Sequence, residues 1–346
     1  MQEIGVGLIG YGLGGKVFHA AFITRTAGMR LRAVVSRDPA KVHHDHPEVA
    51  VVPHVDELLT RPDIDLVVVA SPDELHAGHA LAALAAGKHV VVDKPFATSL
   101  ADARRVVEAA ERSGKMLTIH HNRRWDADFL TLQDLIASGR LGRIVHFESR
   151  FDRWRPEPGA TWKEARAGGS WLDLGPHLVD QALVLFGMPT AVTADLAVLR
   201  DGAPAPDWFE VILHYEAMRV TLHSSKLAAD HRLRFAVHGT TGTWLKHGID
   251  PQEPAIVGGA IPGGAVWGHD PDHGRLTSGQ NSDKPEYIAN RNGDYGLFWR
   301  QLVAAIHGEG ANPVPAEDAI QVMTVIQAGL DSAQLRRTVD LVADPV

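Results

Sequence analysis

Two side chains that can move protons stand four residues apart in the middle of the chain. Asp173 and His177 lie in the stretch GGSWLDLGPHLVD, residues 168–180, where an apolar helical pattern begins. Residues at i and i+4 of a helix share one face, with Cβ atoms about 5–6 Å apart. Imidazole exchanges protons near neutral pH, and a carboxylate beside it can orient it or hold a substrate hydroxyl. The spacing therefore predicts an acid–base site.

Pro176 leaves two starting points for this helix. An interior proline removes one backbone hydrogen bond. The helix therefore begins near Gly175, or it begins at Ser170 and is kinked at the proline. In both cases Asp173 and His177 lie near its start.

A lysine that follows a strand is the third candidate. The segment HVVVDKPF, residues 89–96, carries an apolar run directly into Asp93-Lys94-Pro95. Doubly wound folds bind ligands at the carboxyl ends of their strands. Lys94 is therefore predicted to lie at a ligand site, with Asp173 and His177 facing it, although a lysine in this position is more often a solvated surface residue.

Composition limits the class of protein. The chain has 346 residues, 45% of them hydrophobic, a net charge of -8 and no cysteine. This length favours two domains, and the absence of a basic block argues against binding to nucleic acid or an anionic membrane. No apolar run is long enough for a transmembrane helix, and the N-terminus reads as a strand rather than a signal peptide. We therefore expect a soluble cytoplasmic enzyme or binding protein.

The first part of the chain, residues 1–121, is predicted to be a Rossmann domain. Short continuous apolar runs alternate with helical patterns, which is typical of a parallel sheet covered on both faces. One helix is expected to begin at Ser71-Pro72 and stop at Gly87, and another to follow Ser99 and stop at Gly114. The strands are expected at residues 4–9, 31–36, 66–71, 89–93 and 116–120.

A glycine-rich turn between the first strand and its helix predicts dinucleotide binding. Gly10, Gly12 and Gly15 form a GxGxxG pattern that also contains Leu13. The first glycine permits a tight turn, the second lets the backbone approach a pyrophosphate, and the third allows close helix–strand packing. The helix N-terminus then offers free N–H groups to the phosphates.

The end of the second strand favours NADP over NAD. An NAD site usually places an acid there for the ribose hydroxyls. Here Ser36 takes that position, and Arg37 follows with a guanidinium suited to a 2′-phosphate. NAD stays possible, because Asp38 reaches the ribose if the register differs by two residues.

Residues 122–346 are predicted to form an α+β domain with a large, mainly antiparallel open sheet. In RIVHFESRF, Val145, Phe147 and Phe151 alternate with polar residues, as expected for a sheet with one covered face. A hairpin turn is expected at residues 215–218. The Gly/Pro-rich segment 248–293 is interpreted as functional or mobile. Helices are expected at 129–139, 295–307 and 316–336, and the last two are candidates to pack on the first domain.

Other polar and aromatic residues have a functional and a structural interpretation. Arginine forks and aromatic faces suit the hydroxyls and CH face of a polyol, but they equally suit packing. His76 and His19 lie near the cofactor site by pattern, although such histidines are more often structural. Residues 43–46 (HHDH) are interpreted as a solvated loop rather than a metal site, because adjacent residues cannot easily share one ion. The candidate substrate residues are Arg123, Trp125, Trp154, Arg155 and Trp162.

The motifs together resemble the glucose-fructose oxidoreductase / inositol dehydrogenase / MocA family over essentially the whole chain. They are the GxGxxG turn, Ser71-Pro72-Asp73-x-x-His76, Asp93-Lys94-Pro95 and residues 168–177, in this order. Residues 122–126, 153–156 and 174–181 are similar to the NADP-dependent scyllo-inositol dehydrogenase branch. The common family triplet is Glu-Lys-Pro, so Asp93 is a departure.

The resemblance implies hydride transfer between a nicotinamide and a polyol or sugar. It assigns Lys94, Asp173 and His177 to catalysis, and Ser71, Pro72, His76 and Lys94 to the cofactor. His177 would be the base, Lys94 would donate to the reacting oxygen, and Asp173 would hold a neighbouring hydroxyl. The open sheet would support a homodimer or homotetramer.

Two other functions stay open. An NAD-dependent glycosidase of the same family oxidises its substrate transiently and shows no net turnover of cofactor. A non-catalytic cofactor sensor needs the glycines but not Lys94, Asp173 and His177, so their presence counts against it.

Overall fold

The computed structural model describes residues 2–159 and 168–341. They divide into two compact units. The first unit consists of residues 1–122, 252–267 and 294–320, and the second of residues 123–251, 268–293 and 321–346. Two segments from the second half of the sequence therefore belong to the first unit.

The first unit contains a six-stranded parallel sheet, as predicted. Its order is β3-β2-β1-β4-β5-β6, with every residue of β1 and β4 buried. Burial on both faces explains why these strands read as continuous apolar runs. The prediction missed β3, a run of three residues. The strands are β1 Ile4–Ile9, β2 Met29–Val35, β3 Ala50–Val52, β4 Leu66–Val69, β5 His89–Val92 and β6 Leu117–Ile119.

Helices connect these strands. The glycine-rich turn leads into a π-helical segment, Gly15–Ala20, which continues as α1 (Ala21–Ile23); the later helices are α2 (Pro39–Asp45), α3 (Val55–Leu59), α4 (His76–Ala85) and α5 (Leu100–Ser113). Ser99 caps α5 by accepting a hydrogen bond from the Asp102 N–H at 3.1 Å, and Gly114 ends it with a φ of +64°. Both ends agree with the prediction. The helix expected from Ser71 instead begins with a 3₁₀ turn, Asp73–Leu75, without a side-chain cap.

The second unit contains a nine-stranded mixed sheet, in which the described pairs are antiparallel except β7–β10. The alternation predicted for β7 is confirmed, because Phe147 and Phe151 are buried in the core. The hairpin between β9 and β10 turns at residues 216–217, with Tyr215 paired to Met218. The elements of this part are α6 Ala127–Ala137, β7 Ile144–Arg150, α7 Gly169–Phe186, β8 Ala191–Ala197, β9 Trp208–Tyr215, β10 Met218–Ser225, β11 Leu233–Gly239 and β12 Gly242–His247.

Helix α7 begins at Gly169 and continues through Pro176. Of the two predicted starting points, the earlier one is therefore correct to within one residue. Gly169 has a φ of +52°, and a Cβ there would lie 1.9 Å from the Pro206 carbonyl oxygen, so only glycine fits. The fully buried Trp171 donates from Nε1 to the Ile326 carbonyl at 3.0 Å and fixes the first turn.

The segment 248–293, interpreted as functional or mobile, carries regular structure that was not predicted from the sequence. It contains α8 (Gln252–Val257), β13 (Gly274–Ser278) and β14 (Asn281–Ile288). The sequence hides β14 because this edge strand is largely exposed and its residues, NSDKPEYI, show no apolar alternation. The closing helices agree with the prediction to within one residue: α9 is Gly296–Ile306 and α10 is Ala316–Leu335, followed by β15 (Val339–Asp340).

Helix α9 belongs to the first unit, whereas α10 begins in the first and continues in the second. Among the described residues, no helix is both long and apolar enough to cross a bilayer.

Candidate active site

The glycine-rich turn in the first unit has the shape of a phosphate cradle. Gly10 has a φ of +98°, and a Cβ on it would lie 2.6 Å from the Ala70 carbonyl oxygen. A Cβ on Gly15 would lie 2.1 Å from the Gly10 carbonyl oxygen, whereas one on Gly12 would meet nothing within 4 Å. Gly10 and Gly15 thus permit close packing, whereas Gly12 faces an open space in which a pyrophosphate fits. Leu13, between them, is 60% exposed.

An exposed arginine, Arg37, follows the end of β2. The Ser36 hydroxyl accepts from the Asp38 N–H at 3.1 Å, and the Asp38 carboxylate caps α2 by accepting from the Lys41 N–H at 3.1 Å. Arg37 is exposed and contacts no acid among the described residues. The acid that an NAD site would use is thus occupied in capping, while the guanidinium is available to an anion.

Lys94 follows β5 in a turn that polar contacts hold in place. The Asp93 carboxylate accepts from the Lys94 N–H at 2.8 Å. His76 is buried, and its ring nitrogens lie 2.8 Å from the carbonyl oxygens of Pro95 and Ser71. Ser71 directs its hydroxyl to His79 Nδ1 at 3.0 Å. The loops after β4 and β5 are therefore joined through His76.

The other cofactor candidates lie at the same edge of the first unit. Pro72 is exposed and Lys94 is half-buried. Gly10, Ser36, Ser71 and Lys94 each follow the carboxyl end of a parallel strand, where doubly wound folds bind ligands.

Sequence reasoning missed a group in which two buried histidines lie beside the half-buried Asp93. His19 Nε2 lies 3.3 Å from one Asp93 oxygen, and His120 Nδ1 lies 4.0 Å from the other. Burial alone would raise the pKa of Asp93, but its interactions with the His19 and His120 imidazoles outweigh burial and hold that pKa well below its usual range. Burial, together with the His19 charge, also lowers the pKa of His120. The sequence signal that could have indicated this group is the position of His120 directly after β6, at the same edge of the sheet as Asp93.

One ligand atom from each of His19, Asp93 and His120 lies within 4.8 Å of the other two, so the three are close enough to hold a metal ion. Residues 43–46, read as a solvated loop, instead form the end of α2. There His43 Nε2 contacts the Val49 carbonyl at 3.2 Å, and Asp45 accepts from the Tyr11 hydroxyl at 2.9 Å.

In the second unit, Asp173 and His177 lie four residues apart on α7 and share one face. His177 is 6% exposed, and its ring stacks on Phe151 with centroids 6.4 Å apart. The guanidinium carbons of Arg123, Arg153 and Arg234 lie 4.7, 5.2 and 5.5 Å from the Phe151 ring centroid. A buried aromatic ring thus fixes the imidazole plane, and three cations surround that aromatic ring.

The predicted substrate residues differ in their placement. Arg123 is buried, with Nη1 3.4 Å from Asp126 Oδ2, and Trp125 is also buried. Arg155 is exposed, and Trp154 is 53% exposed. Trp162 lies outside the described residues.

A buried ion pair supports the segment that carries Arg155. Arg200 Nε lies 2.8 Å from Asp207 Oδ2, and the Asp207 carboxylate also accepts from the N–H groups of Leu199 and Arg200. Arg200 Nη1 donates to the carbonyls of Arg155 and Glu157 at 3.0 and 3.3 Å. The pair therefore connects the loop between β8 and β9 to the segment after β7.

We expect Asp207→Asn to lower the free energy of unfolding by about 3–5 kcal/mol at neutral pH, because it leaves the buried Arg200 charge uncompensated. Burial would raise the pKa of Asp207, but hydrogen bonds from Leu199 and Arg200 hold it below its usual value. A carboxyl group whose pKa is lower in the folded protein than in the unfolded one, where it is about 3.9, stabilises the fold at pH values above about 3.9. This contribution to the free energy of unfolding is lost as the pH falls through the folded pKa.

Urea unfolding at pH values stepped down from neutral measures this effect. The gap between wild type and Asp207→Asn should narrow toward acid, while Asp201→Asn, an exposed neighbour, stays within about 0.5 kcal/mol throughout. A gap that is constant with pH would contradict the role of the ionised pair.

Two family models match the chain. Residues 4–121 match the model described as "Oxidoreductase family, NAD-binding Rossmann fold", and residues 133–341 match the one described as "Oxidoreductase family, C-terminal alpha/beta domain". The chain is 46% identical to the uncharacterized oxidoreductase YdgJ of Escherichia coli (strain K12), over 98% of this chain and 99% of YdgJ. It is 38% identical to scyllo-inositol 2-dehydrogenase (NADP(+)) IolW of Bacillus subtilis (strain 168), over 99% of this chain and 97% of IolW.

Solved structures show the same architecture. The YPO2259 protein of Yersinia pestis superposes with a TM-score of 0.96 at 45% identity, covering 99% of both chains. A Klebsiella pneumoniae protein superposes with a TM-score of 0.93 at 43% identity, covering 99% of this chain and 97% of that one. With both family domains matched in order, the chain belongs to the glucose-fructose oxidoreductase / inositol dehydrogenase / MocA family of oxidoreductases.

Proposed function

We propose that the protein is an NADP-preferring dehydrogenase that acts on a secondary hydroxyl or ketone of a cyclic polyol or sugar, with a scyllo-inositol-like substrate favoured. The observation that carries this proposal is the Asp173–His177 pair, one turn apart on α7, with the imidazole stacked on Phe151. The names of two relatives support the substrate class: IolW is a scyllo-inositol 2-dehydrogenase, and Inositol 2-dehydrogenase 2 of Saccharopolyspora erythraea is 33% identical over 60% of this chain.

When bound, the nicotinamide accepts or supplies the hydride. His177 takes the hydroxyl proton during oxidation and returns it during reduction, a role that requires a fixed ring at the reacting oxygen. The Phe151 contact and the low exposure of His177 supply that fixation and limit competition from water.

Lys94 and Asp173 act on the substrate oxygens. The Lys94 ammonium donates a hydrogen bond to the reacting oxygen and stabilises the alkoxide character that develops as hydride leaves. The Asp173 carboxylate accepts from a neighbouring hydroxyl and so selects the carbon that is presented.

We infer NADP preference from the exposed guanidinium at the end of β2. Arg37→Ala should raise the dissociation constant for NADPH by about 10–100-fold, since a charge-assisted contact to phosphate is worth roughly 1.5–3 kcal/mol. The dissociation constant for NADH should change by less than about threefold, because NADH has no 2′-phosphate. Fluorescence titration of the reduced cofactors measures both constants.

Arg30→Ala is the matched control, because Arg30 is an exposed arginine on β2, the strand that Arg37 follows. It should leave both constants unchanged. Equal weakening of NADPH and NADH by Arg37→Ala would place the guanidinium elsewhere than at the 2′-phosphate.

The deciding experiment follows the absorbance of reduced nicotinamide with NADP and NAD separately, against a panel of inositols, aldoses and hexose phosphates. Turnover of a cyclitol with NADP preferred is the expected result. Cleavage of a chromogenic glycoside without net cofactor turnover would replace the proposal with a glycosidase. Cofactor binding with neither reaction would favour the sensor.

A further inference from the structure

His76 makes two contacts that an ordinary neutral histidine cannot make. The ring is 1% exposed and lies at the start of α4. Nδ1 lies 2.8 Å from the Pro95 carbonyl oxygen, and Nε2 lies 2.8 Å from the Ser71 carbonyl oxygen. Both partners are backbone carbonyls, which accept hydrogen bonds and cannot donate them.

The protonation state follows from this arrangement. A neutral imidazole carries one N–H and one bare nitrogen, so one of its nitrogens would direct a lone pair at a carbonyl oxygen. In a buried site that repulsion is not relieved by water. Only the imidazolium, with a donor on each nitrogen, satisfies both carbonyls.

We propose that His76 is held as a buried, doubly protonated imidazolium that joins the Ser71 loop to the Lys94–Pro95 turn and thereby positions Lys94. Ser71 follows β4, and Pro95 follows Lys94 directly after β5. The clamp therefore fixes the backbone on both sides of the cofactor edge. His76 is a positioning residue, and this part of the inference rests on the proposed role of Lys94.

The surrounding charges are compatible with a cation at this position. The acids near it are Asp93, which precedes Lys94, and Asp73 in the 3₁₀ turn that leads into α4; the other titratable neighbours are Lys94 and His79. Burial would raise the pKa of Asp93, but its interactions with His19 and His120 outweigh burial and hold that pKa well below its usual value. Burial lowers the pKa of His79. An ionised Asp93 supplies the countercharge that a buried cation needs.

Nitrogen NMR of the full chain without cofactor tests the charge directly. With ¹⁵N-labelled histidine, both ring nitrogens of His76 should carry a proton at neutral pH and show the shifts of an imidazolium. The spectrum of His76→Gln assigns the signals, and His76→Asn serves if the first variant does not fold. A bare nitrogen on the ring at neutral pH would overturn the proposal.

Steady-state kinetics test the positioning of Lys94. His76→Gln should lower kcat by about 10–100-fold, as expected for a small displacement of a catalytic group, with the KM for polyol and the Kd for NADPH within about threefold. His79→Gln is the matched control, because His79 lies on the same helix and contacts the same residue, Ser71. It should stay within about threefold of wild type in all three constants.

The two experiments fail separately. A Kd for NADPH that rises as much as kcat falls would mean that His76 acts on the cofactor and not on Lys94. Unchanged kcat would remove its positioning role altogether. Absence of turnover in the wild type would refute the proposed function, while the NMR measurement would still decide the charge of His76.

Discussion

Replacing Lys94 or His177 by alanine is expected to lower kcat by about 10²–10⁴-fold, the usual contribution of a positioned acid or base. The Kd for NADPH should change by less than about threefold, because neither side chain is proposed to hold the phosphates. Stopped-flow measurement of hydride transfer isolates the chemical step from product release. Fluorescence titration with NADPH reports cofactor binding in the same samples.

Two controls distinguish chemistry from damage to the fold. Lys284 and His269 are exposed residues of the second unit, and alanine at either should leave kcat unchanged. His177→Gln keeps an amide of similar size on the buried face of α7, so its thermal unfolding should match wild type more closely than that of His177→Ala. Turnover within tenfold of wild type in Lys94→Ala or His177→Ala would refute the assigned role.

Asp173→Asn should behave differently from both. It leaves the acid–base group in place and weakens only the contact to the neighbouring hydroxyl, so KM for the polyol should rise more than kcat falls. Comparison of substrates with and without that hydroxyl locates the contact. On a substrate that lacks the hydroxyl, Asp173→Asn and wild type should have the same KM.

The parallel sheet and its helices could be predicted because buried positions are occupied by apolar residues and helix ends by capping residues, both of which are visible in the sequence. β1 and β4 are buried at every residue, and α5 has a serine at its start and a glycine at its end. β14 could not be predicted, because it is a largely exposed edge strand and its sequence therefore lacks alternating apolar residues. β3 has only three residues, too few for any periodicity.

Some parts of the candidate site could be predicted from the sequence and others could not. Gly10, Gly12, Gly15, Lys94 and His177 stand in local motifs whose spacing is visible along the chain. The His19–Asp93–His120 group is not local, because it forms only when β5 pairs with β6 and the glycine-rich turn lies at the same edge. The charge inferred for His76 likewise depends on two carbonyls from distant loops.

Alanine at Gly12 and at Gly15 is expected to separate cofactor binding from folding. The new methyl group of Gly15→Ala would lie 2.1 Å from the Gly10 carbonyl oxygen, so the turn must shift. Such overpacking costs about 1–3 kcal/mol of folding free energy. Gly12→Ala places its methyl group in open space, so the free energy of unfolding without cofactor should stay within about 0.5 kcal/mol of wild type.

Gly12→Ala should have little effect on the protein alone but should weaken the binding of NADPH. We expect the pyrophosphate to approach the backbone through the open space before this glycine, so a methyl group there should raise the Kd for NADPH by about tenfold or more, or at least 1.4 kcal/mol. Wild type should gain about 2.7 kcal/mol of stability at a cofactor concentration of 100 times its Kd. Urea unfolding with and without NADPH measures this gain, which Gly12→Ala should reduce to about 1.4 kcal/mol or less at the same concentration. A full gain in Gly12→Ala would show that the phosphates bind elsewhere, because the protein itself leaves this methyl group free of contact.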